Sequence, residues 1–131
     1  MVTPTSLLLD THVLLWIATR DRRLGRSAAD AIRDGGTVVY VSAASAWEIA
    51  IKRALGKLDA PTDLGAVLRA YRFTALDVTI DHGLGVEALP PLHRDPFDRM
   101  LVAQARTEDL TLVSDDARLA AYDVRYMSAT R

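Results

Sequence analysis

Leu7-Leu-Leu-Asp10-Thr-His12 carries the decisive pattern: a short apolar run stops at an acid and gives way to the helical spacing of Val13, Leu14 and Ile17. The run predicts a strand over Ser6–Leu9, and the spacing after it a helix. The same alternation continues along the chain. Thr37-Val-Val-Tyr-Val41 is a strand signal after the Gly35-Gly36 break. Ala43 to Leu55 predicts a helix with Trp47, Ile51, Ala54, Leu55 and Leu58 on one face, stopped by Gly56. Pro61 to Tyr71 predicts another helix, Phe73 to Val78 a short strand, and Ile80 to Leu89 a helix that ends at Pro90-Pro91. Pro96 to Glu108 predicts a strong helix, Leu110–Val113 a strand, Asp115–Ala121 a short helix and Val124–Met127 a last strand. Strands alternating with helices imply crossover connections, and hence a parallel sheet covered on both faces. In such an α/β sheet, ligands bind in the crevice beyond the carboxyl ends of the strands.

The chain has 131 residues, which predicts one domain over residues 1–131. Half of the residues are hydrophobic (50%) and 25% are charged, an ordinary globular balance with a core large enough to need no staples. Cysteine is absent, which excludes disulfides, thiol nucleophiles and Cys-ligated zinc or iron–sulfur sites. No apolar stretch approaches the ~20 residues that cross a bilayer, and no secretory signal opens the sequence, so a soluble, cytoplasmic protein is expected. With 16 Lys+Arg against 17 Asp+Glu, the net charge of −1 argues against coating nucleic acid by bulk electrostatics, though not against gripping a phosphate chain locally. Lys52 and Lys57 are the only lysines; the other cations are arginines. Arginine suits bidentate phosphate contacts, but a codon bias toward it accounts for the same count.

The acids recur at one topological place. Asp10 stands at the end of the first predicted strand, where it also fits an N-cap. Glu48 lies a turn into the next helix; Ser45 three residues earlier would make a capping box with it, and Lys52 an i,i+4 ion pair. In Asp95-Pro-Phe-Asp98-Arg99, Asp95 fits the N-cap, Pro96 the first helical position and Asp98 the first turn, where a carboxylate complements the helix dipole. Ser114-Asp115-Asp116 follows the late strand; Ser114 suffices as a cap, which leaves two acids without a structural task. Capping or a local ion pair explains Asp10, Glu48, Asp95 and Asp98 singly. Jointly, these acids gather along one edge of a parallel sheet, where carboxylates repel and some hold protons. A divalent cation relieves that repulsion, and oxygen-only ligands point to Mg²⁺ or Mn²⁺. Such a site suits phosphodiester hydrolysis by a metal-activated water.

Four stretches give these acids a family context: Leu7-Leu-Leu-Asp10-Thr-His-Val-Leu-Leu-Trp16, Val41-Ser-Ala-Ala-Ser-Ala-Trp-Glu48-Ile-Ala-Ile-Lys52, Asp95-Pro-Phe-Asp98-Arg-Met-Leu-Val-Ala-Gln-Ala105 and Leu110-Thr-Leu-Val-Ser-Asp-Asp116. In this order they resemble PIN-domain proteins, specifically the VapC-type toxins of bacterial toxin–antitoxin pairs, over nearly the whole chain. The resemblance implies a three-layer α/β/α sandwich with a central, mainly parallel sheet, and a Mg²⁺- or Mn²⁺-dependent ribonuclease. It implies that Asp10, Glu48, Asp98 and Asp116 form the acidic metal site, with Glu48 positioning or deprotonating the attacking water. It selects Asp116 over Asp115, although both acids remain candidates. Thr11 and Ser114 match supporting hydroxyls, and Asp95 belongs to a Pro-Phe-Asp variant in which it caps or binds. By the same resemblance, the protein is a homodimer acting on RNA, neutralised by a small VapB-like antitoxin that covers the active-site groove. The helix pair between Ala43 and Tyr71 is a candidate antitoxin face on the same ground.

His12, His82 and His93 lack the spacing of a zinc site and read as packed or surface residues. Arg99 is placed either to touch RNA phosphate or to sit solvated at a helix start. Trp16 and Trp47, at helical spacing among apolar neighbours, read as core or dimer contacts. Two rival functions are another Mg²⁺-dependent phosphohydrolase and a non-catalytic module of the same fold. A phosphatase of the haloacid type wants an acid where His12 stands, and a receiver needs a lysine where neither Lys52 nor Lys57 falls. The presence of all four acids weighs against a module without chemistry.

Overall fold

Leu7, Leu8 and Leu9 are completely buried, which requires cover on both faces of their strand. The structure, a computed structural model, describes residues 6–59 and 63–131. Its strands are β1 (Ser6–Leu9), β2 (Val38–Ser42), β3 (Thr74–Leu76), β4 (Thr111–Ser114) and β5 (Arg125–Ser128). They form a five-stranded sheet in the order β3-β2-β1-β4-β5, and every pairing is parallel. The helices are α1 (Thr11–Thr19), α2 (Arg26–Arg33), α3 (Ala43–Ala54), α4 (Leu64–Tyr71), α5 (Ile80–Gly85) and α6 (Pro96–Thr107), with 3₁₀ turns at Val86–Ala88 and Ala117–Ala121.

Side-chain alternation along β1 assigns the layers. Leu7 and Leu9 point with Val39, Val41 and Val113 into one core, closed by Val13, Leu14, Trp16 and Ile17 of α1, Ile49 of α3, and partly buried residues of α2 and α4. Leu8 and Leu112 point to the other, filled by Leu101, Val102 and Ala105 of α6 with Leu119 and Tyr122. The result is the expected α/β/α sandwich, with an entirely parallel sheet. From β1 the chain moves outward to β2 and β3, then returns to the far side of β1 for β4 and β5. The order reverses between β1 and β4, whose carboxyl ends carry Asp10 and Ser114. A crevice opens at such a reversal.

Four expectations need correction. Helix α2 went unrecognised: Gly25 gives its N-cap no side-chain hydrogen bond, and its core-facing stripe of Ala28, Ala31 and Ile32 is short and built mostly of alanine. The buried face of α3 is Ala44, Ser45, Glu48 and Ile49, whereas Trp47 and Leu55 are 64% and 62% exposed. That face meets α1, where Thr11 hydrogen-bonds Glu48 and contacts Ser45, and this polar contact turns the helix against its apolar spacing. The capping box of Ser45 with Glu48 does not form, because Ser42 caps α3 by accepting from the Ala44 amide. The expected helix from Pro61 starts at Leu64, capped by Asp63; Pro61 itself lies outside the described residues.

Gly25 lies where the chain's last residues return to the sheet, its amide donating to Ala129 O at 2.8 Å. A Cβ there would collide with the backbone of Arg131. Gly25→Ala is therefore expected to destabilise the protein by about 1–3 kcal/mol, the usual range for forced overpacking. Thermal unfolding checks it; an unchanged melting temperature would mean that this end of the chain does not hold α2.

Candidate active site

Asp10 follows β1 directly, is 97% buried (3% exposed), and caps α1 by accepting from the Val13 amide at 2.8 Å. The capping and crevice readings of this residue therefore coincide. Burial pushes its carboxyl up to about 6, against the stabilising hydrogen bonds of Ser114 and the Val13 amide. Asp98 stands in the first turn of α6, which begins with Pro96 behind the N-cap Asp95; Asp95 Oδ1 accepts from the Phe97 and Asp98 amides at 2.8 and 3.3 Å. Asp98 is pushed up further, to about 7, first by burial and then by the charges of Asp95 and Asp10, with a smaller contribution from Glu48. Among the described residues, neither Asp10 nor Asp98 forms an ion pair with a lysine or arginine.

The other two acids are paired. Glu48 is 5% exposed inside α3. Thr11 Oγ1 donates to its Oε1 at 2.7 Å, and Lys52 Nζ to its Oε2 at 2.6 Å, so the expected i,i+4 pair is formed. Ser45 Oγ lies 3.0 Å from Thr11 Oγ1 and closes this polar contact between α1 and α3. Lys52 is held charged, its pKa raised by Glu48 and by the more distant Asp95 and Asp98. It is thus a cation of the crevice itself, beyond its part in the ion pair.

Asp116 caps the 3₁₀ turn Ala117–Ala121, a task the sequence reading gave to Ser114. Ser114 Oγ instead accepts from the Asp116 amide at 3.0 Å. Arg118 grips both oxygens of Asp116, Nε to Oδ1 at 2.9 Å and Nη2 to Oδ2 at 2.8 Å, and holds the carboxyl well below its usual range. Asp115 lies 3.3 Å from the Nδ1 of His12, whose side chain is 62% exposed. Both acids act on the site: the Tyr126 hydroxyl, which donates to Ser114 O at 2.9 Å, is pushed up by burial and then by Asp10, Asp116 and Asp115.

One residue of the site escaped the sequence reading. His93 Nε2 lies 3.0 Å from Asp116 Oδ2 and 3.5 Å from Asp98 Oδ2, with only 8% of its side chain exposed. His93, Asp98 and Asp116 offer ligand atoms within 4.8 Å of one another. No fixed spacing links His93 to Asp116; the turn that follows β4 brings them together. The only local signal was the two-residue step from His93 to the N-cap Asp95.

Arg99 neither reaches the crevice nor sits solvated. Its Nη1 donates to Pro90 O at 3.0 Å and to Tyr122 Oη at 3.2 Å, and its Nη2 to Val86 O at 3.3 Å and Leu89 O at 3.4 Å. It clamps the segment leading to His93 against α6. Losing several charge-assisted hydrogen bonds at once predicts that Arg99→Ala costs about 2–4 kcal/mol. Chemical denaturation measures this directly, and a change below about 0.5 kcal/mol would return Arg99 to the ordinary surface class.

The tryptophans divide. Trp16 is buried, as a core residue should be, whereas Trp47 is exposed and meets Phe97 of α6 edge-on at 5.3 Å. His82 is also core, 1% exposed, in a capping box with Thr79 and 3.0 Å from Glu108. A cavity of about 830 Å³ lies toward the amino ends of β2 and β3, between α1, α2 and the end of α4, and is lined by none of the crevice acids. The crevice acids sit at the opposite ends of the strands. Among the described residues, no helix is long and apolar enough to cross a membrane.

The donor set of the crevice fits a hard divalent cation. Its acids are oxygen donors, and two of them, Asp10 and Asp98, lack a lysine or arginine partner and have carboxyls pushed up, first by burial.

The fold is shared with solved structures at low sequence identity. A VapBC2 complex from Rickettsia felis, bound to a promoter DNA fragment, superposes with a TM-score of 0.71 at 12% identity, covering 95% of this chain and 98% of that one. A DNA-bound VapBC from Salmonella typhimurium gives 0.64 at 18% identity, covering 95% and 98%. FitAcB from Neisseria gonorrhoeae gives 0.61 at 20%, covering 92% and 96%. No curated protein matches the sequence. The sequence itself matches the PIN domain family over residues 7–125, from the first strand with its terminal acid to the last strand, and the chain belongs to that family.

Proposed function

We propose that this chain is a divalent-cation-dependent endoribonuclease and the toxin of a toxin–antitoxin pair. The observation that carries the reading is the convergence of Asp10, buried, and Asp98, partly buried, both without a lysine or arginine partner, at the point where the strand order reverses. PIN family membership supports a nuclease. The VapBC and FitAcB neighbours support a cognate antitoxin as partner. RNA as substrate, a homodimer and a cytoplasmic location rest on the resemblance of the four sequence stretches to VapC-type toxins.

Asp10, Asp98 and Asp116 would hold Mg²⁺ or Mn²⁺, with Glu48 completing the acidic set. When bound, the cation lowers the pKa of a water and stabilises charge on the leaving oxygen. The protein's own residues supply the geometry. Asp10 is fixed by the Val13 amide, and the backbone of Asp98 by the Asp95 cap of α6. Glu48 is locked between Thr11 and Lys52 with both oxygens accepting, which suits orienting a water more than taking its proton outright. Lys52 balances charge in the crevice, and the partly exposed Asp115 and Asp116 mark its side open to a phosphate chain.

Purified protein incubated with a mixed RNA pool tests the reading. Cleavage with Mg²⁺ or Mn²⁺ that stops on chelation is the expected result. Cleavage insensitive to chelator would assign the activity to another site. Failure to cut any RNA while still binding an antitoxin peptide would favour a module without chemistry.

A further inference from the structure

We propose that His93 is a positioning residue of the acidic site, a hydrogen-bond donor that holds Asp116 against Asp98, and not a metal ligand. The inference rests on the reading of the crevice as a divalent-cation site. Proximity alone invites the opposite assignment, because the Nε2 of His93 lies among carboxylate oxygens as an imidazole ligand would.

The other ring nitrogen decides it. Nδ1 of His93 accepts a hydrogen bond from the Asp95 backbone amide at 3.0 Å. An amide N–H can only donate, so Nδ1 presents a lone pair and the ring is not doubly protonated. In a neutral imidazole, one nitrogen then carries the hydrogen, and here that is Nε2. Nε2–H faces Asp116 Oδ2 at 3.0 Å, with Asp98 Oδ2 at 3.5 Å. A nitrogen carrying a proton has no lone pair for a cation. Ligation through Nε2 would move that proton to Nδ1, directly against the Asp95 N–H. The Asp95 amide is the N-cap backbone of α6, fixed by the helix start, so it cannot turn away without disturbing Asp98.

The remaining surroundings agree. Arg99 holds the loop that carries His93 through Pro90 O and Leu89 O, and the side chain is 8% exposed, so the ring is pinned at both ends. The acids it faces lie on different elements, Asp98 in α6 and Asp116 after β4. A single donor between them fixes their separation. The cation site therefore keeps oxygen ligands alone, the set that suits Mg²⁺ and Mn²⁺.

Two measurements on the full chain test this. Long-range ¹H–¹⁵N NMR of the ring, in the metal-free protein and with saturating Mg²⁺, is expected to show the Nε2–H tautomer in both. Calorimetric titration with Mg²⁺, Mn²⁺ and Ni²⁺ is then compared for wild type, His93→Ala and His93→Gln. Orienting partners of metal ligands typically account for about 10–100-fold in affinity. His93→Ala should weaken all three ions by a common factor in that range, and His93→Gln, which retains an N–H donor, should recover part of the loss. An Nδ1–H tautomer on metal loading, or a loss of Ni²⁺ affinity far exceeding that of Mg²⁺ in His93→Gln, would make His93 a ligand and overturn the inference. Unchanged affinities in folded His93→Ala would also overturn it, by removing any positioning role. If wild type binds none of the ions, the reading of the crevice fails as well, and that outcome is distinct because the others all require wild-type binding.

Discussion

Replacing Asp98 by asparagine is expected to make the metal-free protein more stable at pH 8 and at the same time to cut RNA cleavage severely. The two effects share one cause. Asp98 is pushed up to about 7 by burial, Asp95 and Asp10, so at pH 8 the folded protein carries a charge that it would shed if it could. Asparagine has nearly the same shape, keeps an oxygen acceptor and removes that charge. It also removes the carboxylate from the proposed cation site. A bound metal is worth several kcal/mol of transition-state stabilisation, so cleavage should fall by roughly a thousandfold. Thermal melts in chelator and initial cleavage rates in Mn²⁺ measure the two halves. An Asp98→Asn protein that is less stable than wild type at pH 8 would show that the carboxylate is held by structure and not strained by repulsion. Sites evolved for chemistry commonly trade stability for function in this way.

The second large effect is on pH dependence. Asp10 and Asp98 have folded-state pKa values raised to about 6 and about 7, from 3.8 as the ordinary value. A raised carboxyl binds its proton more tightly in the folded state than in the unfolded one, so protonation favours folding. Their contribution is therefore most favourable below about pH 4 and is lost as pH rises through 6 to 7. Asp116 works in the opposite sense: Arg118 and His93 lower it, so its contribution is present at neutral pH and disappears only in strong acid. The metal-free protein should thus melt at higher temperature near pH 5 than near pH 8. Saturating Mg²⁺ or Mn²⁺ should reverse that slope, because protons compete with the cation for the same oxygens. Melting curves at both pH values, with cation and with chelator, give the comparison. A metal-free melting temperature that rises steadily from pH 5 to pH 8 would contradict the account of Asp10 and Asp98.

How much of this was legible in the sequence follows from the range of each interaction. Asp10 and Asp98 were readable because strand end, N-cap and helix start are local features, and the capping and crevice roles need the same position. The parallel sheet was readable because short apolar runs separated by amphipathic helices leave few other ways to bury both faces. The face of α3 was not. Trp47, Leu55 and Ile51 look like a stripe, but the helix turns Ala44, Ser45, Glu48 and Ile49 inward because Thr11 satisfies the buried carboxylate. A polar residue is read as surface until the partner that satisfies it is known, and that partner is remote in sequence. Helix α2 lacked a side-chain cap, and its short stripe of Ala28, Ala31 and Ile32 is mostly alanine. His93 joined the site only through a loop clamped by Arg99 and a turn after β4, and Arg99 was read for its charge when its task is to hold carbonyl oxygens.

Calorimetric titration of Mn²⁺ into wild type, Asp10→Asn and Asp98→Asn, all shown folded by circular dichroism, tests most directly that the crevice at the β1–β4 reversal holds a cation. The account predicts saturable binding by wild type and no measurable binding by either variant. Binding that survives both substitutions unchanged would place the cation elsewhere and contradict the account.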